Sequence, residues 1–156
     1  HTAQQIADVV TEFVPELKQA GRILEWGCGP GRVIRHLPLL LPKNDIYGAD
    51  YNAESIEWCT AHVENVQFNK NALHPPLPFD NRFFDFIYAI SVVTHLSESS
   101  CHEWIEELAR ISKPHALLLL WTNGDMIASR LLPEEQNLYH MGKFVERTQY
   151  QEGKNH

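Results

Sequence analysis

A cluster of glycines follows the first short apolar run of the sequence and is the clearest candidate for chemistry. Residues 23–31 are Ile-Leu-Glu-Trp-Gly-Cys-Gly-Pro-Gly, so Gly27, Gly29 and Gly31 stand where a strand passes into a helix. Glycine lets the backbone turn sharply and lets a ligand approach the main chain closely. The loop predicts a nucleotide-type binding site, although a bare strand-to-helix turn, which also uses glycine, is the alternative for the loop taken alone.

The residues around this loop distinguish between nucleotide ligands. The dinucleotide fingerprint G-x-G-x-x-G requires a third glycine where this chain has Arg32. A pyrophosphate group favours the positive N-terminus of a helix, whereas the preceding strand ends in the anionic Glu25. That charge suits a ligand with an ammonium group, and a nicotinamide-dependent oxidoreductase becomes the less favoured interpretation.

A second acidic residue follows the next predicted strand. Asp50 lies about twenty residues beyond the glycine loop, where a carboxylate that accepts from both ribose hydroxyls is expected. The alternative is that Asp50 caps the helix that begins near Ala53. The two interpretations are about equal when this residue is considered alone.

Residues 25–31 resemble motif I of the class I S-adenosylmethionine-dependent methyltransferases, which is written E/D-x-G-x-G-x-G. The resemblance implies S-adenosylmethionine as cofactor and S-adenosylhomocysteine as product. It implies that Glu25 helps to orient the amino group of the cofactor. The residues that it implies to pack against the methionine part are Gly27, Cys28, Gly29 and Gly31.

The resemblance extends to the ribose and adenine ends of the cofactor. It favours the ribose role for Asp50 and implies that Tyr51 packs beside the ribose or adenine, with an ordinary buried aromatic as the alternative. Asn71, Ala72 and Leu73 resemble the adenine-binding turn of the family, and residues 77–87 resemble the stretch that runs into strand four. Relatives usually carry Asp at the position of Asn71, so an amide oxygen would here contact the adenine amino group.

Residues 89–96, Ala-Ile-Ser-Val-Val-Thr-His-Leu, resemble the family loop that lies beside the reactive methyl group. The resemblance implies that Ile90 borders the cofactor. His95 is the candidate catalytic base, because a neutral imidazole can accept a proton from a hydroxyl or amine; a histidine that packs against the next helix is the alternative. The other histidines and the cysteines lack zinc-binding spacing, so we expect no metal site.

Strands that alternate with helices must position these residues. The pattern predicts a first helix over residues 2–20, strands over 22–26, 45–49, 66–68, 84–90 and 116–121, and helices over 33–41, 53–63 and 98–111. This order predicts an α/β fold with a doubly wound, mostly parallel sheet in three α/β/α layers, similar to the Rossmann-like methyltransferase fold. The run 84–90, in which only Asp85 is charged, predicts a strand that is covered on both faces, and the unbroken apolar run 116–121 predicts a central strand.

The end of the chain departs from the family pattern. We expect residues 1–124 to form the cofactor-binding core and residues 125–156 to form an incomplete C-terminal extension or cap of the same domain. Within the extension, 126–132 is a candidate helix and 143–147 a candidate short strand. The family sheet continues with a sixth strand and an antiparallel seventh beside the fifth. We find neither, so we expect the C-terminal strands to be missing.

Composition bears on the number of domains, the kind of partner and the location of the protein. The 156 residues, of which 44% are hydrophobic, fit one domain. The formal net charge of −7, with 13 Lys and Arg residues, disfavours nucleic acid as a main partner. No apolar run approaches the ~18 to 20 residues needed to cross a membrane. The three cysteines match neither a disulfide framework nor a zinc ribbon, which favours reduced thiols and a cytoplasmic location.

These observations together predict an enzyme that transfers a methyl group from S-adenosylmethionine to an O or N atom of a small molecule. Such a reaction needs mainly alignment of the acceptor with the activated methyl group and exclusion of water. A noncatalytic protein that keeps the nucleotide-binding fold as a scaffold for a partner is the alternative. The sequence leaves open the identity of the acceptor, the choice between O and N, and the oligomeric state.

Overall fold

Five parallel strands form the frame of the molecule. The computed structural model describes residues 2–122 and 128–145. Its strands are β1 (Arg22–Trp26), β2 (Asp45–Asp50), β3 (Val66–Lys70), β4 (Phe84–Ile90) and β5 (Ser112–Trp121). The spatial order is β3-β2-β1-β4-β5, and every pairing is parallel. The chain runs outward from β1 to β3 and then returns to place β4 beside β1, which confirms the predicted doubly wound sheet. The direction of winding changes between β1 and β4, and ligands of such folds bind at this position.

The helices are α1 (Thr2–Phe13), α2 (Leu37–Leu40), α3 (Ala53–His62), α4 (Glu98–Ile111) and α5 (Pro133–His140). The predicted first helix, 2–20, is too long. Pro15 has no N–H and disfavours helical backbone at Val14, which adopts φ −133° and ψ 61°. A short 3₁₀ helix, Pro15–Lys18, follows instead, and another, Ile34–His36, precedes α2 in the predicted helix 33–41.

Apolar side chains cover both faces of the sheet. Phe86 and Tyr88 of β4 belong to a buried cluster with Ile6 and Val10 of α1. The alternate residue Ile87 belongs to a second cluster, with Trp104 of α4. Because successive residues of a strand point to opposite faces, this division confirms the predicted three-layer arrangement.

Strand β5 does not have the central position that its apolar run suggested. In the described part of the chain it pairs with β4 alone, so it is an edge strand. Residues 117–120 are half-buried and Trp121 is 43% exposed. The prediction failed because an apolar run indicates that a strand will be covered without indicating which element covers it.

Only part of the C-terminal predictions falls on residues that the structure describes. The candidate helix 126–132 extends into residues outside the described ranges, and residues 129–132 are not helical. The sequence analysis did not predict α5, which follows directly. The candidate strand 143–147 is wrong for residues 143–145, and its last two residues are outside the described ranges. Among the described residues, no helix is long and apolar enough to cross a membrane.

Candidate functional site

A cavity of about 420 Å³ opens at the carboxyl ends of β1, β2 and β4. It lies at the change of winding direction, where open α/β sheets bind their ligands. Four segments of the chain line the cavity: 25–30, 50–52, 71–73 and 90–92. Single residues that also line it are Arg32, Val33, Ser55, His95, Leu96 and Trp104. The cavity therefore brings together residues that are far apart in the sequence.

The glycine loop forms the floor of the cavity with backbone in the left-handed region. Gly27 has φ +74° and Gly29 has φ +49°. A side chain at Gly27 would overlap Val92, whereas a Cβ atom at Gly29 would meet nothing within 4 Å. Gly31 is not among the lining residues; a Cβ atom there would lie 2.9 Å from Cys59 Sγ. The first two glycines thus leave main chain open to a ligand, and the third makes room for a packed thiol.

Asp50 joins the glycine loop to the second strand. Its Oδ2 accepts a hydrogen bond of 2.7 Å from the Gly29 N–H, and its Oδ1 accepts one of 2.8 Å from the Asn52 N–H. Asn52 is the N-cap of α3, because its side chain accepts from the Ser55 N–H. The capping role that was the alternative for Asp50 therefore belongs to Asn52. A carboxylate has about four lone-pair sites, so both Asp50 oxygens keep acceptor capacity toward the cavity.

Glu25 is a buried acid in the wall of the cavity. It is 3% exposed, and its Oε2 accepts a hydrogen bond of 2.8 Å from the Tyr88 hydroxyl. Burial raises the pKa of Glu25 to about 8, against the opposing effect of the hydrogen bonds from Tyr88 and from the Ile34 N–H. A positively charged ligand group in the cavity would stabilise the ionised form.

Cys28, within the glycine loop, and Cys59, on α3, are buried thiols. Both sulfur atoms are hydrogen-bonded to the Gly29 carbonyl oxygen, at 3.8 Å and 3.7 Å. Burial raises the pKa of the Cys28 thiol well above its usual range, and it also raises that of Cys59. Neither thiol is activated as a nucleophile, because nucleophilic cysteines require a lowered pKa.

Asn71, in the lining of the cavity, presents an unpaired acceptor. Its backbone N–H donates to the Asp50 carbonyl oxygen at 3.0 Å, and its Nδ2 donates to the Ala72 carbonyl oxygen at 2.6 Å. Its Oδ1 is buried and has no hydrogen-bond partner in the described structure. A buried acceptor without a partner is costly, so a ligand donor at this position would be favoured.

Two tryptophans complete the wall beside Asn71. The rings of Trp26 and Trp104 lie 4.8 Å apart at 40°, and Trp104 Nε1 donates to the Leu73 carbonyl oxygen at 3.1 Å. Trp104 is 2% exposed and belongs to the second buried cluster, but it also lines the cavity. The sequence pattern could not assign this second role, because helix α4 reaches the cavity only in the folded molecule.

An ion pair on α4, between the buried Glu107 and the one-third exposed Arg110, holds the loop that follows Leu73. Glu107 Oε1 accepts from the Leu77 N–H at 2.7 Å. The Arg110 guanidinium donates to both Glu107 oxygens at 2.7 Å and to the carbonyl oxygens of Leu77 and Phe79. These Arg110 hydrogen bonds lower the pKa of Glu107 despite its burial. We name this group of residues the α4 clamp.

His95 and its neighbours form the rim. His95 ends the short 3₁₀ helix Val93–His95; it is exposed and lines the cavity. Tyr51 and Ile90 also line the cavity. Ser91, Val92 and Leu96 line it too, although the sequence analysis did not single them out within the segment 89–96. The described residues contain no group of three His, Cys, Asp or Glu side chains that could hold a metal ion.

The chain is similar to known methyltransferases in sequence and in structure. A family model described as "Methyltransferase domain" matches residues 23–115, which is more than half of the chain. An uncharacterised methyltransferase of Schizosaccharomyces pombe is 24% identical over 136 residues, which are 80% of this chain and 48% of the relative. The solved structure of the YcgJ protein from Bacillus subtilis is 26% identical, with a TM-score of 0.60 over 77% of this chain and 49% of that one.

Two further relatives have acceptors in their names. The malonyl-[acyl-carrier protein] O-methyltransferase of Legionella pneumophila is 32% identical over 126 residues, which are 78% of this chain and 43% of the relative. The tRNA N(3)-cytidine methyltransferase METTL2 of Gallus gallus is 26% identical over 124 residues, 72% of this chain and 33% of the relative. The chain thus spans half or less of the length of these curated relatives.

Proposed function

This chain belongs to the class I S-adenosylmethionine-dependent methyltransferase family, and from that premise we propose that it transfers a methyl group to an O or N atom of a small molecule. The family membership rests on the match over residues 23–115. The cofactor-binding roles of the individual residues and the nature of the acceptor are part of the proposal.

The observation that carries the proposal is the set of acceptors in the cavity. Glu25 offers a carboxyl group, Asp50 two carboxylate oxygens and Asn71 an unpaired amide oxygen. S-adenosylmethionine carries an ammonium group, two ribose hydroxyls and an adenine amino group, which are donors of matching number and kind. The residues present therefore fit this cofactor, and Gly27 and Gly29 keep the floor clear of side chains.

The protein's part in the reaction is to bind, align and exclude water. The cofactor, when bound, supplies a methyl group already activated on a sulfonium. Trp26 and Trp104 make one wall apolar, which limits water near the reacting atoms. The exposed His95 imidazole at the rim is suited to take the proton that an acceptor O–H or N–H loses.

The small-molecule acceptor is supported by charge. With a formal net charge of −7, the chain offers no excess of Lys and Arg to neutralise a phosphate backbone. The relatives named for tRNA cytidine and for a malonyl-carrier acceptor show that acceptors differ within the family. An acceptor test must therefore include nucleic acid as a competing outcome.

Calorimetric titration of the full chain with S-adenosylhomocysteine tests cofactor binding. We expect Asp50→Ala to weaken binding by about tenfold or more, because it removes acceptors for two ribose hydroxyls. Asp45→Ala is the matched control, because Asp45 is exposed at the other end of the same strand. Absence of binding by the folded wild-type chain, or equal affinities of Asp50→Ala and wild type, would contradict the proposed cofactor site.

A turnover assay tests the acceptor. The chain is incubated with methyl-tritiated S-adenosylmethionine and either a small-molecule extract or bulk tRNA, and the label is followed in each fraction. We expect label in small-molecule products that separate from S-adenosylmethionine by chromatography, and a loss of roughly a hundredfold in rate for His95→Gln, with cofactor affinity unchanged. Label in tRNA instead would overturn the acceptor class, and cofactor binding without any turnover would favour the noncatalytic scaffold.

A further inference from the structure

Tyr88 lies beneath the glycine loop with its hydroxyl directed at the buried acid. It is fully buried on β4, in register with Glu25 on the neighbouring β1, and the two side chains form the 2.8 Å hydrogen bond. Its ring stacks on Phe86 at 5.7 Å and 20°. Glu25 lines the cavity, but Tyr88 does not. Tyr88 can therefore influence a ligand only through Glu25.

We propose that Tyr88 is a positioning residue of the cofactor site, which orients the Glu25 carboxyl group toward the methionine ammonium group and sets the pH range in which the cofactor binds. This inference rests on the proposed function. It predicts that cofactor binding releases a proton from Glu25, and that the Tyr88 hydroxyl determines how readily that proton leaves.

The hydrogen bond restricts the carboxyl group to one arrangement. Parallel pairing of β1 and β4 fixes the spacing of Glu25 and Tyr88, and packing fixes the tyrosine ring. With Oε2 held by Tyr88, rotation of the carboxyl group would break a buried hydrogen bond, which is unfavourable. A preorganised acceptor loses less conformational freedom on binding than a mobile one.

The groups that face Glu25 leave it without a cation. The titratable neighbours are Asp50 at the end of β2, Cys28 in the loop, Cys59 on α3 and Tyr88 on β4. None of these is positively charged. Buried apolar side chains of α1, among them those of residues 6 and 10, share a cluster with Tyr88.

Arg32 lines the same cavity but is not among the charged groups that shift the pKa of Glu25, and Arg35 has other partners. Arg35 donates to the carbonyl oxygens of Gly31 and Pro30, at 2.8 Å and 2.7 Å, and its guanidinium lies over the Trp58 ring. It therefore supports the outer side of the loop and forms no ion pair with Glu25. Burial without a cation raises the pKa of Glu25 to about 8, so the carboxyl group of the unliganded protein is mostly protonated at neutral pH.

A pH dependence of affinity follows. An ammonium group binds the ionised carboxylate, so below about pH 8 the affinity rises by about tenfold for each pH unit and then levels off. The Tyr88 hydrogen bond stabilises the ionised form. Tyr88→Phe removes it, so the midpoint moves to higher pH by about one unit and affinity at pH 7 falls roughly tenfold.

The experiment is calorimetric titration of the full chain with S-adenosylhomocysteine from pH 6 to pH 9, in buffers of different ionisation enthalpy. We expect wild type to release close to one proton per cofactor at pH 7, and Tyr88→Phe to show the shifted midpoint. Glu25→Gln, which cannot titrate, should bind more weakly with a nearly flat profile. Tyr47→Phe is the matched control, because this buried β2 tyrosine lies on the opposite face of the sheet, and it should reproduce the wild-type profile.

The outcomes separate this inference from the proposed function. Absence of binding by wild type at every pH overturns the proposed function and this inference with it. Binding by wild type with no proton release and a flat profile overturns the inference alone. So does a Tyr88→Phe profile that superimposes on wild type, or a Glu25→Gln profile with an unchanged slope. If Tyr88→Phe does not fold, the ultraviolet difference spectrum of tyrosine on cofactor binding tests Tyr88 instead. A change that is present in wild type and absent in Glu25→Gln supports the inference, and no change in wild type overturns it.

Discussion

Two glutamates of this protein are almost equally buried and have opposite electrostatic surroundings. Glu25, in the cavity wall, is 3% exposed, and Glu107, in the α4 clamp, is 6% exposed. Glu107 has its own cation in Arg110, which lowers its pKa, whereas burial raises the pKa of Glu25 to about 8. Both carboxyl groups accept hydrogen bonds, so the difference comes from the stronger desolvation of Glu25 and from the cation that only Glu107 has beside it.

The difference shows how a buried acid that stabilises the fold can be distinguished from one that binds a ligand. A buried acid that is paired with an arginine and with backbone donors holds two segments together. A buried acid without a cation is unfavourable in the unliganded protein, and such groups cluster at functional sites. We therefore expect the α4 clamp to matter for stability and Glu25 to matter for ligand binding.

The largest expected effect comes from removing the cation of the clamp. Arg110→Met keeps the apolar stem but leaves Glu107 as an unpaired buried charge, so we expect the free energy of unfolding at pH 7.5 to fall by about 3 kcal/mol. Urea denaturation measures this change. Glu106→Gln, an exposed change on the same helix, should alter stability by less than about 0.5 kcal/mol. A loss for Arg110→Met no larger than that of the control would remove the distinction between the two glutamates.

The next effect is the pH dependence of stability caused by Glu25. Its pKa rises from 4.5 to about 8 on folding, so the folded protein binds this proton more tightly than the unfolded chain. The stability from this proton is fully present below pH 4.5 and is lost as pH rises toward 8. Between pH 5.5 and 7.5 the loss is about 2.5 kcal/mol, which denaturation of the unliganded wild type and of Glu25→Gln can measure. If the stability of wild type and of Glu25→Gln changed equally with pH, the pKa of Glu25 would not be raised by folding.

The matching substitution in the clamp should act in the opposite sense. The lowered pKa of Glu107 means that its ionised form stabilises the fold above the unfolded value of 4.5, and that this stability is lost as pH falls below it. Glu107→Gln should therefore cost about 1.5 kcal/mol at pH 7.5 and less in acid. Thermal unfolding at pH 7.5 and pH 4 measures both values. If Glu107→Gln lowered the stability equally at the two pH values, the stabilising effect of Glu107 would not come from its charge.

The smallest effect concerns the residue that connects the two regions. Trp104 lies on α4 and donates to the Leu73 carbonyl oxygen in the cavity wall. Trp104→Phe keeps an aromatic ring against Trp26 but removes this hydrogen bond, so we expect about 1 kcal/mol less stability and a fewfold weaker binding of S-adenosylhomocysteine. Calorimetry measures both quantities. Unchanged affinity would mean that the hydrogen bond from Trp104 to Leu73 does not contribute to cofactor binding.

Much of the fold was accessible from local patterns. The predicted bounds of β4 and α4 agree with the structure, because an apolar run ending before Ser91 and a helix capped by Ser97 are local signals. The overlong first helix and the central position of β5 were wrong. The first error ignored the local effect of Pro15, and the second depended on strand neighbours, which no local pattern specifies.

The candidate site divides in the same way. The glycine loop and Asp50 were accessible from residue types and spacing, and Asn71 from the resemblance to the methyltransferase family; the structure places all three at one cavity. The role of Asn52 as the cap of α3, the hydrogen bond between Tyr88 and Glu25, and the place of Trp104 in the wall were not. Each of these depends on a distance between side chains or on a choice between neighbouring residues that spacing leaves open.

The sequence by itself determined which residues can carry the chemistry, because turn-forming glycines, strand-ending acids and the alternation of strands with helices are properties of short segments. Only the tertiary structure decided the ionisation of those residues. Glu25 and Glu107 are the same residue type in the sequence. The register of β4 against β1 supplies Glu25 with a hydroxyl, whereas one turn of α4 supplies Glu107 with a guanidinium, and the free energy of a buried charge depends on that difference.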